Sequence, residues 1–160
     1  MVKLASRVAA AGVCLVMLTG CSEAQPPTLA MATQNLVTDG EELLASYLIQ
    51  RVGQFRITEK AEKDSDTACV PGSKQRFFRA QANFLNPERP DPGAAAGAVQ
   101  AQLGVMSYDK LVDDLDFWDN DLSVAVFHKP ESAVTFMVAA RITEPHILIV
   151  GKTDCIKPEE

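Results

Sequence analysis

The 160-residue chain is short of basic residues, with 15 Lys and Arg against 21 Asp and Glu for a net charge of −6. Binding nucleic acid takes clustered cations along the phosphate backbone, so a nucleic-acid partner is excluded. Glycine and proline number nine each, and charged residues make up 22% of the chain. That balance excludes collagen-like, coiled-coil and wholly disordered classes. No apolar run reaches the roughly 20 residues that a bilayer-spanning helix needs. Residues 8–18 are uncharged and apolar, but too few for a lasting span. Neither G-x-S-x-G nor S-D-N occurs, which removes two routes to a serine nucleophile. The length suits one domain with one core.

What is present starts with an address. Lys3 and Arg7 form a positive n-region, residues 8–18 an h-region, and Leu18-Thr19-Gly20-Cys21 follows. This arrangement resembles the signal peptide and lipobox of bacterial lipoproteins. The resemblance implies cleavage before Cys21, acylation of its thiol and anchoring on the extracytoplasmic face of a cell membrane. Three segments are expected: a removed signal peptide at 1–20, a flexible tether at 21–36 and a single domain at 37–157. Acyl chains contribute about 0.8 kcal/mol per buried methylene, so several chains anchor firmly. The acidic domain is repelled by anionic headgroups and stands off the bilayer.

Of the four cysteines, Cys14 leaves with the signal peptide and Cys21 carries lipid, which leaves Cys69 and Cys155. Two thiols in an exported chain read as one disulfide. The competing reading, zinc held by Cys69, Cys155, His128 and His146, lacks any pair at metal-ligand spacing. No cofactor or metal is expected.

Thr38-Asp39-Gly40-Glu41 has the form of a capping box, and Leu43, Leu44, Tyr47, Leu48 and Val52 follow at helical spacing. A first helix is therefore predicted to start near Thr38 and end near Gly53. Residues 58–67 read either as an edge strand or as a loop. Residues 76–85 alternate, with Phe78, Ala80, Ala82 and Phe84 on one face. Asp91-Pro92 opens an alanine-rich second helix that Gly104 closes. Three strands complete the chain: 122–128, with Leu122, Val124 and Val126 on one face; 133–143, with Val134, Phe136, Val138, Ala140 and Ile142 inward; and 146–153. Short connections make them antiparallel neighbours. The expected fold is α+β, two helices on one face of a mostly antiparallel four- to five-stranded sheet. The lipobox, Cys69-Val70-Pro71-Gly72 before a strand and Thr153-Asp154-Cys155 near the end resemble small secreted actinobacterial lipoproteins. That likeness spans about residues 40–157 and implies one disulfide-linked α+β domain, with no assigned activity.

The most conspicuous charged feature is acidic. Asp109, Asp113, Asp114, Asp116, Asp119 and Asp121 fall in one short segment, a candidate partner-binding cluster. An EF-hand starting at Asp114 fails, because its sixth position is Asp119 and its twelfth Ala125, in place of Gly and Glu. Ser107-Tyr108-Asp109-Lys110 matches S-x-x-K by chance, without its companion elements. Gly151-Lys152-Thr153 fails as a phosphate loop, since His146 stands where the first Gly belongs. His128 and His146 form a pH-sensitive pair only if their strands are neighbours. Lys74, Arg76 and Arg79 interleave with Phe77 and Phe78, where Phe77 faces outward. The expected function is a membrane-anchored, non-catalytic binding or interaction module whose partner is an envelope protein or a small ligand. The alternatives are a structural envelope lipoprotein and, further off, a small carboxylate-dependent hydrolase.

Overall fold

A computed structural model describes residues 26–111, 117–118 and 121–159. The lipidation candidate Cys21 and the acidic residues Asp113, Asp114, Asp116 and Asp119 lie outside the described residues.

The first helix, α1 (Leu29–Ala45), opens where Thr28 Oγ1 accepts the Met31 N–H at 3.2 Å. Leu29, Ala32, Leu36, Gly40 and Leu43 recur at intervals of three and four and are buried. This stripe carries the helix nine residues upstream of the predicted start at Thr38. Residues 29–36, expected as tether, are thus part of the domain. The capping-box sequence lies inside the helix. Gly40 serves packing there: an added Cβ would stand 2.7 Å from Phe78 Cε1. The helix also ends before Gly53. Ser46 leaves helical geometry and caps a short helix α2 (Tyr47–Gln50), and Gly53 opens a strand.

That strand is β1 (Gly53–Glu59), which settles part of the ambiguous 58–67 region as the end of an edge strand followed by loop. β2 (Phe77–Phe84) buries Phe78, Ala80 and Ala82, as the alternation requires. Helix α3 (Pro92–Val105) starts at Asp91, whose Oδ1 accepts the Ala94 N–H at 2.8 Å. Its small residues let Ala95, Ala96 and Val99 pack close to the sheet. Two short strands, β3 (Asp109–Lys110) and β4 (Phe117–Trp118), precede β5 (Leu122–Lys129), β6 (Val134–Arg141) and β7 (Ile147–Thr153).

All pairings are antiparallel, in the order β1-β2-β7-β6-β5-β3, with β4 also on β5. The α+β class and five long strands match expectation, and the pair of two-residue strands adds to it. Helix α1 packs over β2 and β7, and α3 over β5 and β6. The core lies between these helices and one sheet face. Its central row reads Phe127, Phe136, Gly151, Phe78 across four strands. A Cβ on Gly151 would lie 2.5 Å from Phe136 Cε1 and 2.6 Å from Leu36 Cδ1. The glycine therefore admits Leu36 between two phenylalanine rings.

One inward assignment, that of Ile142, is corrected. On β5 Leu122, Val124 and Val126 share one face, as the spacing predicts, and the core face is the other, with Ser123, Ala125 and Phe127. The register to β6 fixes this, because Ala125 sits opposite Val138 and Phe127 opposite Phe136. Ile142 lies past the end of β6 and is 41% exposed.

Candidate functional site

Helices cover one sheet face, and among the described residues no helix covers the other. An antiparallel sheet in this position ordinarily alternates apolar-in and polar-out. The β1–β2 half obeys apart from Phe77, with Gln54, Arg56, Thr58, Arg79, Gln81 and Asn83 on the open face. The β5–β6–β7 half does not. One register row on the open face reads Val126, Met137, Val150, and the next reads Val124, Ala139, Leu148. Met137 is 37% exposed. Leu111, Val126, Met137 and Val150, with Thr135 and Lys152 at one end, line a surface hollow of about 320 Å³. The chemistry available at its lining is apolar contact bordered by one hydroxyl and one ammonium, and that hydroxyl, Thr135 Oγ1, lies 3.0 Å from the His128 imidazole.

The sequence signal for this surface is that β6 and β7, Val-Thr-Phe-Met-Val-Ala-Ala and Ile-Leu-Ile-Val, are apolar at successive positions as well as alternate ones. Reading only the alternate residues assigns the inner face and misses the outer one.

Cys69 and Cys155 are joined by a disulfide, with Cα atoms 5.6 Å apart. β2 and β7 are neighbours, with Phe77 opposite Lys152, so the bond ties the end of the last strand to the loop that enters β2. Backbone bonds between Lys74 and Ile156, and between Arg76 and Thr153, extend the same seam.

Asp109 pairs with His128 near one end of β5, whereas Asp121 immediately precedes its other end and accepts the Ile142 N–H at 3.0 Å. The length of β5 therefore separates these two acids. Among the described residues no group of three His, Cys, Asp or Glu side chains is placed to hold a metal ion.

The two histidines are not brought together. β6 lies between their strands, and they sit at opposite ends of the sheet. His128 Nδ1 lies 3.0 Å from Thr135 Oγ1. His146 is buried rather than at a surface edge, stacked on Phe84 at 4.8 Å, with Nδ1 accepting the Phe84 N–H at 3.4 Å. Ser107 has left-handed φ and lies beyond α3, so Lys110, in β3, is not one helical turn away. The basic cluster is engaged structurally. Lys74 and Arg76 both pair with Asp64, and Arg79 pairs with Glu59 at 2.7 Å while lying over the Phe77 ring.

One polar constellation escaped the sequence because its members are far apart in the chain. Tyr108 donates to Asp39 Oδ2 at 2.6 Å, and Lys129 Nζ lies 4.0 Å from the same oxygen and 5.3 Å over the Tyr108 ring. Lys129 also donates to the Met106 carbonyl at 3.1 Å. Burial, and then the Asp39 hydrogen bond and charge, push the Tyr108 hydroxyl well above its ordinary pKa. None of the constellation's members lines the hollow beside Met137. It fastens α1 to the end of α3 and to β5.

Among the described residues no helix is long and apolar enough to cross a membrane. Compared with known proteins, the chain matches no family model, no curated protein and no solved structure.

Proposed function

We propose that this protein is a lipid-anchored extracytoplasmic lipoprotein whose single domain is a non-catalytic interaction module. Its binding surface is the helix-free face of β5, β6 and β7, and its partner is an apolar surface of another envelope component. The observation that carries this reading is the pair of apolar rows on that face, with the hollow between Leu111, Val126, Met137 and Val150. Water-facing apolar area of this kind, rimmed by polar residues, marks contact sites.

The lipobox at Leu18-Thr19-Gly20-Cys21 supports the anchor. Because α1 begins at Leu29, the chain from an acylated Cys21 to the domain spans at most about 29 Å when fully extended. Such an anchor lets the acidic domain stand off the bilayer by no more than that distance and limits its partners to components of the envelope.

Site-specific photo-crosslinking in intact cells tests the reading. A crosslinking residue in place of Met137 is expected to give a discrete adduct that Val150→Lys removes, and one in place of Glu42 on α1 is expected to give none. Equal labelling from both positions, or no adduct from Met137, contradicts it.

A further inference from the structure

Among the described residues β1 pairs with β2 and with no other strand, so it forms an open edge of the sheet. Every second residue of such a strand directs its N–H and C=O away from the sheet, ready to pair with another chain. The regular register runs over residues 53–57 and breaks at a bulge between Ile57 and Glu59. On the helix side of this short edge lies a hollow of about 560 Å³, lined by Leu44, Phe55, Ile57 and Leu85 among others. Leu85 also borders a smaller hollow of about 190 Å³ that contains Arg51 and Arg89.

The charges around the edge are uneven. At its far end Glu59 pairs with Arg79, and Lys60 pairs with Glu41. Along the regular part Arg51, Arg56 and Arg89 are exposed and form no ion pair among the described residues. Asp91, in the smaller hollow, already accepts the Ala94 N–H at the start of α3.

We propose that the edge of β1 accepts an extended acidic peptide as an added strand. Backbone hydrogen bonds to the free edge fix the peptide in line with residues 53–57. Its alternate apolar side chains enter the hollow beside Phe55 and Ile57. Its intervening acidic side chains share the open face with Arg56, and an acidic end lies near Arg51 and Arg89.

A second copy of the chain fits this edge less well. Antiparallel β1–β1 pairing that keeps both core faces on the same side, centred on residues 53–57, sets Phe55 opposite Phe55 and Arg56 opposite Gln54, so the two Arg56 side chains become diagonal neighbours on the open face. That pairing brings like charges together and gives neither arginine an acidic partner, and other registers shorten a ladder already limited by the bulge. Strand addition presupposes the interaction-module reading but uses a different surface from the β5–β7 face.

The test is fluorescence anisotropy of the purified full-length chain with three labelled hexapeptides. One alternates Glu and Leu, the second alternates Lys and Leu, and the third is the first with Pro at its centre. The Glu-Leu peptide is expected to bind at least about tenfold more tightly than either control. Arg56→Glu is expected to reverse the preference toward the Lys-Leu peptide, and binding is expected to slow amide exchange within residues 53–57. Met137→Glu on the other surface is expected to change nothing, so a failure of the β5–β7 reading leaves this result standing. Equal affinity for all three peptides, no binding at millimolar concentration, unchanged preference in Arg56→Glu, or loss of binding in Met137→Glu overturns the proposal. So does concentration-dependent dimerisation in which the dimer, and not the peptide, protects residues 53–57.

Discussion

Tyr108 and Asp39 meet across 2.6 Å, joining the turn that follows α3 to the middle of α1. Neither helix is otherwise connected to the other by a side-chain hydrogen bond among the described residues, and Lys129 closes the group from β5. Because the hydroxyl is held above its ordinary pKa, the unfolded state loses this proton first as pH rises. Its contribution is therefore complete below about pH 10 and falls away as pH climbs above that value toward the folded one. The wild-type chain is expected to lose stability above pH 10 more steeply than Tyr108→Phe, as measured by urea midpoints across the alkaline range. Parallel curves would remove Tyr108 as the cause.

The disulfide sets a second expectation. Cys69 and Cys155 are 86 positions apart, so the bond closes a long loop in the unfolded chain. Its loss is expected to cost about 2–4 kcal/mol. Cys155→Ser and reduction of the wild type should lower the melting temperature by similar amounts. A reduced protein that melts at the oxidised temperature would show that the seam between β2 and β7 suffices alone.

Gly151 is expected to tolerate no side chain. Gly151→Ala forces Phe136 and Leu36 apart, at a cost of about 1–3 kcal/mol. Leu36→Ala costs about 2–5 kcal/mol by opening a cavity. The two changes compensate, so the double variant should be less destabilised than the sum of the singles. Strict additivity in denaturant melts would separate Leu36 from Gly151.

Strand and helix identities were legible where one residue pattern had one explanation. The alternation of Phe78, Ala80 and Ala82 and the Asp91-Pro92 start of α3 are local signals, and both hold. The start of α1 was not legible from Thr38-Asp39-Gly40-Glu41, because a capping box is also compatible with a helix interior. What decides is whether the residues upstream find a surface, and Leu29, Ala32 and Leu36 find the sheet. The faces of β5 were obscured for a related reason. Val124 and Val126 are more apolar than Ser123 and Ala125, yet register to β6 turns the smaller pair inward. The open face itself was hidden by strands apolar on both sides. The Asp39–Tyr108–Lys129 contact depends on topology that no local pattern encodes.

Lipidation is expected at Cys21. Mass spectrometry of membrane extracts should find an acylated N-terminal cysteine and no residues 1–20, and Cys21→Ala should leave the membrane fraction. A Cys21→Ala protein that stays membrane-bound would contradict the anchor.

The central claim, that the β5–β7 face meets a partner in the envelope, is tested most directly by methionine oxidation. Met137 lies on that face and is 37% exposed, and Met31 on α1 is 55% exposed and serves as an internal reference. Dilute peroxide applied to intact cells and to purified full-length protein, with peptide mass spectrometry of both, gives two ratios. The account expects Met137 to oxidise several-fold more slowly in cells than in the purified protein, relative to Met31. Equal relative oxidation of Met137 in the two settings would mean that nothing covers the face and would contradict the claim.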